Sequence, residues 1–240
     1  CNILSFVPSF TPLFISYYVP LCDVIKYLSS FQVLQAPATV YYIPNFITPE
    51  EEAHILKNVY AVPKPKWTCL SKRRLQDYGG VPHEKGMIPE PIPSWLTKYM
   101  EKVAQLNVFA ANKPNQVLVN EYLPGQGIMP HTDGPLFYPT IATISCGSHT
   151  VLEFLENNET RTKVCQLLLE KCSLVVIKDD MYSIYLHSIK VVDFDVVDEG
   201  CANLLNCGKQ YVVGDKIKRD TRVSLTIRNV TKVLKIKLWK

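Results

Sequence analysis

Short runs in which apolar and polar residues alternate recur along the chain from Gln35 onward. Such alternation places apolar side chains on one face of a β-strand and polar side chains on the other. Residues 198–220 lack sustained periodicity and are predicted to form a long loop. The pattern indicates a mainly β (α+β) protein built as a two-sheet barrel or jelly roll. A strand begins at Val117, and further strands are predicted at residues 39–43, 140–145, 150–154, 164–169, 173–177, 191–197 and 222–227.

Two stretches ahead of the β-rich part carry helix signals. Residues 48–51, Thr-Pro-Glu-Glu, form a capping box with proline at the first helical position, which predicts a helix to about residue 60. Trp95, Tyr99 and Val103 recur at helical spacing and predict a second helix with these residues on its buried side. We expect the two helices to cover one outer face of the sheets.

The first 34 residues differ in character from the rest. Residues 1–22 have no charged side chain, and Pro8, Pro12 and Pro20 interrupt an otherwise apolar run. Proline breaks a membrane-spanning helix, so we predict that 1–34 is an apolar extension outside the folded domain. The alternative is a membrane or organelle-targeting segment. Residues 35–240 are predicted to form one domain.

Composition and charge limit the function classes. The chain has 240 residues, 47% of them hydrophobic, and a net charge of +4, so one full core is expected and any nucleic-acid binding must come from a local patch. Its eight cysteines include no C-x-x-C pair, which argues against a zinc ribbon or a dense disulfide framework. The cysteines indicate a reduced, intracellular protein. We expect it in the cytoplasm and nucleus, as a monomer with no obligate protein partner.

His131 and Asp133 follow a strand and a glycine-rich turn. Residues two apart in an extended segment project to the same side, so the imidazole and the carboxylate can bind one metal ion. A distant second histidine would complete the two-His, one-carboxylate arrangement that is typical of non-haem Fe(II) oxygenases. His187 is the best candidate because it follows a strand and a turn, whereas His149 and His83 lie in a hairpin turn and a loop.

Arg222 and Arg228 are on the same face of the last predicted strand. Two guanidinium groups on an inner face are unfavourable unless an anion pairs with them. They are too far apart to bind one carboxylate but could bind the two ends of a short dicarboxylate, which beside an Fe(II) site suggests 2-oxoglutarate. The alternative is a surface strand with two solvated arginines.

Basic and aromatic side chains are interleaved in residues 61–93, a segment rich in Pro and Gly. This mixture suits phosphate contacts combined with base stacking, and the alternative is a solvated loop with a few packed aromatic residues. The candidate substrate contacts are Lys66, Trp67, Arg73, Arg74 and Tyr78.

Taken together, Asn120-Glu-Tyr122, His131-Thr-Asp133, His187 and Arg222-Val-Ser-Leu-Thr-Ile-Arg228 resemble the AlkB family of Fe(II)- and 2-oxoglutarate-dependent dioxygenases. The resemblance covers about residue 35 to the C-terminus and implies a double-stranded β-helix, with residues 61–93 as the nucleotide-recognition lid. It also implies that Asn120 and Tyr122 bind 2-oxoglutarate, Arg222 its distal carboxylate, and Arg228 the end nearer the metal. Ser224 stands where several relatives have Asn, and the 198–220 loop is longer than in bacterial members.

The resemblance implies an oxidoreductase that uses Fe(II), 2-oxoglutarate and O2 to demethylate alkylated nucleic acid. A base inside a duplex is out of reach, so the substrate is expected to be single-stranded or flipped. Two alternatives stay open. One is a protein side-chain hydroxylase or demethylase with the same cofactors, and the other is a non-catalytic nucleic-acid-binding module with a metal in its β-helix.

Overall fold

The computed structural model describes residues 20–235, and the elements of this range are mostly antiparallel strands. The helices are α1 (Leu21–Ser29), α2 (Pro49–Ala61), α3 (Ser94–Ala104) and the short α4 (Asp180–Ser183). The strands are β1 (Val40–Ile43), β2 (Thr68–Leu70), β3 (Arg73–Tyr78), β4 (Gln116–Tyr122), β5 (Ile128–His131), β6 (Thr140–Cys146), β7 (Thr150–Leu155), β8 (Lys163–Leu169), β9 (Leu174–Lys178), β10 (Leu186–Ile189), β11 (Phe194–Val196), β12 (Lys216–Lys218) and β13 (Arg222–Arg228).

Eleven of these strands form two sheets. The larger sheet has the order β1-β9-β6-β13-β4-β3-β2, and the smaller has the order β5-β10-β7-β8. Side chains from the two sheets share an apolar cluster that includes Phe154, Leu167, Val175 and Ile177. The predicted mainly β class and jelly-roll architecture are confirmed, with two separate antiparallel sheets rather than a closed barrel.

The outer face of the larger sheet is covered by α2 and α3. Ile55 and Val59 of α2, with Tyr99 and Val103 of α3, pack in one buried cluster with the outward-facing residues of β4, β6, β9 and β13. The helices therefore form a third layer, as predicted. Burial of apolar side chains between these layers is the main stabilising contribution to the fold.

Strand β13 divides its residues between two environments. Val223, Leu225 and Ile227 are fully buried beneath the helices. Arg222 and Arg228 alternate with them and line a cavity between the sheets. The predicted two-sided pattern of this strand is confirmed, and it brings both guanidinium groups to the inner face.

Two segments hold more regular structure than their sequences indicate. In the predicted lid, 61–93, strand β3 pairs with β4 from Arg74 to Tyr78, because β4 would otherwise be an unpaired edge. In the predicted 198–220 loop, β12 pairs with β11 in a separate two-stranded sheet, and β11 is shorter than the predicted strand at 191–197. Pairing between residues distant in sequence stabilises both segments, and local periodicity does not report such pairing.

Residues 20–34 were expected to belong to an extension outside the fold, and the structure packs them against it. Helix α1 starts after Pro20, and Leu28 joins the cluster beneath the helices. Val33 donates its backbone N–H to Val40 at 2.9 Å. The part of the predicted extension at 1–19 lies outside the described residues. Within 20–235, no helix has the length and apolar character needed to cross a membrane.

The segment between β10 and β13 is fastened to the mouth of the cavity by one buried ion pair. Arg219 donates two hydrogen bonds of 2.7 Å to the carboxylate of Asp195. Its Nη1 also donates to the carbonyl oxygens of Lys190, at 2.7 Å, and Gln126, at 3.3 Å. One guanidinium thus joins β11, the end of β10 and the turn before β5.

The capping box of α2 provides a test of local stability. Thr48 Oγ1 accepts from the Glu51 N–H at 3.2 Å, and Glu51 Oε2 accepts from the Thr48 N–H at 3.1 Å. We expect Thr48→Ala to lower the free energy of unfolding by about 1 kcal/mol because it leaves a helical N–H without its acceptor. Urea denaturation measures this loss. Lys57→Ala, on the exposed face of the same helix, is the control and should change stability by less than about 0.5 kcal/mol.

Candidate active site

Pairing between β5 and β10 brings the two predicted histidine ligands together. His131 and His187 are directly opposite each other in this pair, and their ring centroids are 4.3 Å apart. Asp133 Oδ1 lies 3.8 Å from His131 Nε2 and 3.4 Å from His187 Nε2. One ligand atom from each of the three residues lies within 4.8 Å of the other two, which in the described residues occurs nowhere else among His, Cys, Asp and Glu side chains.

These separations fit a single metal ion. Two ligand atoms that each bind the same ion at roughly 2.1 Å are only slightly closer to each other than the nitrogen and oxygen atoms of these three side chains are. His131 Nδ1 lies 2.8 Å from the carbonyl oxygen of Met129, which favours a proton on Nδ1 and leaves the Nε2 lone pair for a metal. The donor set has two imidazoles and one carboxylate, so it suits Fe(II) with open coordination positions.

The protonation states of these side chains also suit a metal. Burial and the neighbouring His187 lower the pKa of His131, which favours the neutral imidazole. Burial alone would raise the pKa of Asp133, but the hydrogen bond from His187 and the charge of Arg228 outweigh it and hold the pKa well below its ordinary value. Asp133 is therefore an anionic ligand at neutral pH.

Arg228 links the last strand to the metal ligands. Its Nη1 donates to Asp133 Oδ2 at 2.8 Å, and its Nε donates to Gln116 Oε1 at 3.0 Å. The guanidinium also lies 4.2 Å from the ring centroid of Phe137. Arg228 is therefore fixed beside the carboxylate of Asp133, and its predicted role toward the cosubstrate stays a prediction.

A cavity of about 270 Å³ extends from the metal ligands between the two sheets. Most of its apolar lining comes from β6, β7, β8 and β9, and most of its polar lining comes from β3, β4, β13, β10 and β5 with the residues that directly follow β5. The predicted cofactor residues all line it, namely Asn120, Tyr122, Arg222, Ser224 and Arg228, and the three metal ligands line it as well. The cavity thus brings the two halves of the predicted site together.

Arg222 carries a buried positive charge, and no carboxylate of residues 20–235 lies within ion-pair distance of it. Its side chain is 4% exposed, and its Nη2 donates to Ser145 Oγ at 2.9 Å. Its Nε has no hydrogen-bond partner among the described residues. Burial lowers the pKa of Arg222 to about 10, so the guanidinium is still charged at neutral pH. An unpaired cationic fork in an enclosed cavity fits a ligand carboxylate, as predicted for the distal end of 2-oxoglutarate.

Register places the remaining predicted cofactor residues beside the arginines. Tyr122 lies opposite Arg222, and Asn120 lies opposite Ser224 in the pairing of β4 with β13. Asn120 Oδ1 accepts a hydrogen bond of 3.1 Å from Arg73 Nε. The carboxamide nitrogen of Asn120 thus remains available to a ligand oxygen.

Two polar residues of the site were missed by sequence reasoning. Ser145 and Gln116 each accept a hydrogen bond from one of the two arginines. Gln116 lies directly opposite Arg228, and Ser145 lies opposite Ser224. In the sequence, each is a polar residue near the end of an otherwise apolar strand, and this could have marked it as a candidate site residue. Which arginine it contacts depends on the strand register, which the sequence does not show.

Two of the five predicted substrate contacts are occupied within the protein. Lys66 Nζ donates to the carbonyl oxygen of Asp77 at 2.5 Å and lies 4.5 Å from the ring centroid of Tyr78. Tyr78 is 6% exposed, and its ring packs edge-on against Trp95. The prediction that Tyr78 stacks on a base is therefore wrong, because tertiary packing places its ring in the core beneath α3.

The other three predicted contacts, Trp67, Arg73 and Arg74, differ in what they contact within the protein. Arg74 donates to both carboxylate oxygens of Glu121 at 2.6 and 2.9 Å, and its guanidinium lies 4.1 Å from the ring centroid of Trp67. Its charge is thus largely compensated. Arg73, on the same strand, instead lines the cavity that holds the metal ligands.

His149 was expected to be an exposed turn residue. Its Nε2 lies 3.3 Å from the carboxylate of Asp195, and His149 does not belong to the cluster of three residues that could share a metal ion.

Comparison with known proteins agrees with this geometry. Residues 60–228 match the 2OG-Fe(II) oxygenase superfamily. A Danio rerio protein named "Probable RNA/DNA demethylase ALKBH6" is 48% identical over 229 residues, which are 91% of this chain and 97% of that protein. An uncharacterised protein of Acanthamoeba polyphaga mimivirus is 32% identical over 79% of this chain and 84% of its own length. The solved structure of OsALKBH1 has the same fold, with a TM-score of 0.55, 13% identity, and coverage of 79% of this chain and 96% of that chain.

The metal ligands can be tested by loss of metal binding. We expect His187→Ala to weaken binding of one Fe(II) ion by more than about a hundredfold, since even partners that only orient a ligand contribute tenfold or more. Anaerobic equilibrium dialysis with metal analysis measures the affinity. His83→Ala, which removes an exposed histidine of the 61–93 segment, is the control and should bind the ion fully. The reverse pattern would contradict the assignment of the site.

The role of Arg222 can be tested with the cosubstrate. Removing a charged hydrogen-bond donor from a buried carboxylate site should raise the Kd for 2-oxoglutarate by about tenfold to a hundredfold in Arg222→Ala. Anaerobic calorimetric titration of the metal-loaded protein measures Kd. Arg222→Lys keeps the charge without the planar fork, so its Kd should be intermediate. An unchanged Kd in Arg222→Ala would exclude this residue from the cosubstrate site.

Proposed function

Because the chain belongs to the AlkB family of 2OG-Fe(II) oxygenases, and is accordingly a 2-oxoglutarate-dependent dioxygenase, we propose that it removes N-linked methyl groups from nucleic acid by oxidation. The observation that carries the proposal is the single cavity that joins the two-His, one-Asp cluster to the buried arginines of β13. The name of the 48% identical zebrafish protein, a probable RNA/DNA demethylase, supports nucleic acid as the substrate.

Separate groups of residues would bind the metal ion and the cosubstrate. His131, Asp133 and His187 would hold Fe(II), while Arg222 and Arg228 would hold the two ends of 2-oxoglutarate, with Asn120, Tyr122 and Ser224 beside them. When bound, Fe(II), 2-oxoglutarate and O2 supply the oxidation of an N-methyl group to N-hydroxymethyl, which releases formaldehyde, while the cosubstrate becomes succinate and CO2.

The apolar wall of the cavity is part of the mechanism. Ile141, Leu152, Leu169, Val175 and Ile177 give the cavity an apolar wall that offers water no hydrogen-bond partner. With less water present, the contacts of Arg222 and Arg228 with carboxylates are stronger than at an exposed surface. A base stacked inside a duplex cannot reach the metal ligands of such a cavity, so the base has to be single-stranded or flipped.

The state of the cysteines bears on the predicted cellular location of the protein. The described cysteines are all free, and Cys146, Cys165, Cys172 and Cys201 are buried. Free thiols support the proposal that the protein acts in the reducing cytoplasm and nucleus. A monomeric state remains a prediction that size-exclusion chromatography with light scattering would test.

The proposed reaction can be tested by following both products. We expect the protein loaded with Fe(II) and 2-oxoglutarate to convert at least one oligonucleotide in a panel of methylated RNA and DNA strands, with formaldehyde and succinate released in equal amounts. Mass spectrometry measures loss of the methyl group.

The Asp133→Ala variant should form neither product because it lacks the anionic metal ligand. Succinate release that responds to methylated peptides but to no oligonucleotide would identify a protein substrate instead. Tight oligonucleotide binding without succinate in any mixture would indicate a non-catalytic module.

A further inference from the structure

After β13 the chain continues beside the segment that carries the metal ligand Asp133. Tyr138 donates its backbone N–H to the carbonyl oxygen of Asn229 at 2.8 Å, and Thr231 donates its own to the carbonyl oxygen of Leu136 at 3.3 Å. The chain that follows β13 is therefore paired with the residues that come directly after Asp133. Its next residues start from a fixed point close to the metal end of the cavity.

The same stretch is also bound to the predicted lid, residues 61–93. Met87 donates its backbone N–H to the carbonyl oxygen of Lys232, and Leu234 donates its own to the carbonyl oxygen of Met87, both at 2.9 Å. Lys232 Nζ donates to the carbonyl oxygen of Glu84 at 3.1 Å. The backbone at 232–234 thus lies between the lid and the segment after Asp133, where a substrate strand has to approach under the proposed function.

The net positive charge of the chain is concentrated in this stretch. The chain has 26 lysines and arginines against 22 aspartates and glutamates. Residues 232–240 contain no acidic residue, and their four lysines account for the whole difference, so residues 1–231 are neutral taken together. These lysines are Lys232, Lys235, Lys237 and Lys240, of which the last two lie outside the described residues.

The described lysines of this stretch are available to an external anion. Lys232 and Lys235 are exposed, and no carboxylate of residues 20–235 lies within ion-pair distance of either. Two basic residues that were predicted to contact phosphates differ in this respect. Lys66 donates to a backbone carbonyl oxygen, and Arg74 is bound at two points by Glu121. Binding to phosphates requires positive charge that the protein itself does not already neutralise.

Resting on the proposed function, we propose that residues 232–240 form a phosphate-binding segment that contacts the backbone of single-stranded nucleic acid beside the base that occupies the cavity. A lysine ammonium group binds phosphate as a point charge on a flexible side chain. Such contacts position a strand without reading its sequence. The segment therefore contributes affinity for any strand and leaves the choice of base to the cavity.

The test measures binding of a strand that has no methyl group, so that no reaction contributes. The protein is loaded with Fe(II) and 2-oxoglutarate without O2 and titrated into a fluorescent oligothymidylate of about twenty nucleotides, which extends well beyond one base. Fluorescence anisotropy gives Kd at several KCl concentrations between about 50 and 200 mM. The variant replaces all four lysines of the segment: Lys232→Gln, Lys235→Gln, Lys237→Gln and Lys240→Gln.

The expected change follows from the release of counterions by bound phosphates. We expect the Kd of the quadruple variant to rise at least about tenfold at the lowest salt concentration. The slope of the logarithm of the binding constant against that of the KCl concentration should become shallower by about 2 to 3, since each phosphate contact on a single strand contributes about 0.7.

A second quadruple variant separates the position of the charge from its amount. It replaces four exposed lysines elsewhere, three of them on α1, α2 and α3: Lys26→Gln, Lys57→Gln, Lys98→Gln and Lys171→Gln. The two variants have the same net charge. The Kd of the second variant should stay within about threefold of the wild type, because distant exposed charges are screened by salt.

Several outcomes would overturn the inference. They are an unchanged Kd and slope in the first variant, equal weakening in both variants, and no binding of the strand by the wild type. Lysine-dependent binding of phosphatidylserine vesicles without binding of the strand would also overturn it and would assign the segment to a membrane surface.

Turnover with O2 separates this inference from the proposed function. If the wild type demethylates a methylated strand, the first variant should do so with KM raised about tenfold and kcat unchanged, because the lost contacts are equal in the ground and transition states. An unchanged KM would reject the role of the segment and keep the proposed function. Lysine-dependent binding without demethylation of any strand would reject the proposed function and keep the phosphate contacts.

Discussion

A negative charge buried between two β-sheets needs hydrogen-bond donors or positive charge close to it, and the site depends on how this requirement is met at Asp133. Arg228 reaches the carboxylate from the larger sheet, and His187 reaches it from the smaller one. The carboxylate is therefore ionised and fixed in place by the fold itself. The same contacts join the two sheets at their mouth, so the geometry of the metal ligands and the packing of the sheets are not independent.

Side chains alternate between the two faces of a β-strand, and this alternation explains how much of the site could be predicted from the sequence. In β13 the alternation of Arg222 and Arg228 with Val223 and Ile227 assigns the apolar face to the core and the other face to the inside of the fold, and the structure places the arginines in the cavity between the sheets. His131 and Asp133 followed from the same rule. The capping box at Thr48 also has a local cause, since both of its hydrogen bonds lie within four residues.

Features that depend on distant pairing could not be predicted in this way. Strand β3 exists because β4 offers it a partner, and Tyr78 is buried because α3 packs over it. Arg74 faces Glu121 for the same reason, across the register of two strands. The composition of residues 61–93 indicated basic and aromatic contacts, but it did not distinguish side chains that the protein itself occupies from Arg73, whose donors remain largely free.

Arg219 has a consequence for how variants of this protein should be interpreted. Its side chain joins the turn before β5 to the end of β10, and these strands carry His131 and His187. A change at Arg219 or Asp195 would alter the spacing of the two strands that carry His131 and His187, although neither Arg219 nor Asp195 is among the residues that would hold the iron. Poor iron retention in a natural or engineered variant is thus insufficient to identify the altered position as a ligand, and mutations in the segment between β10 and β13 deserve the same scrutiny as mutations in the triad.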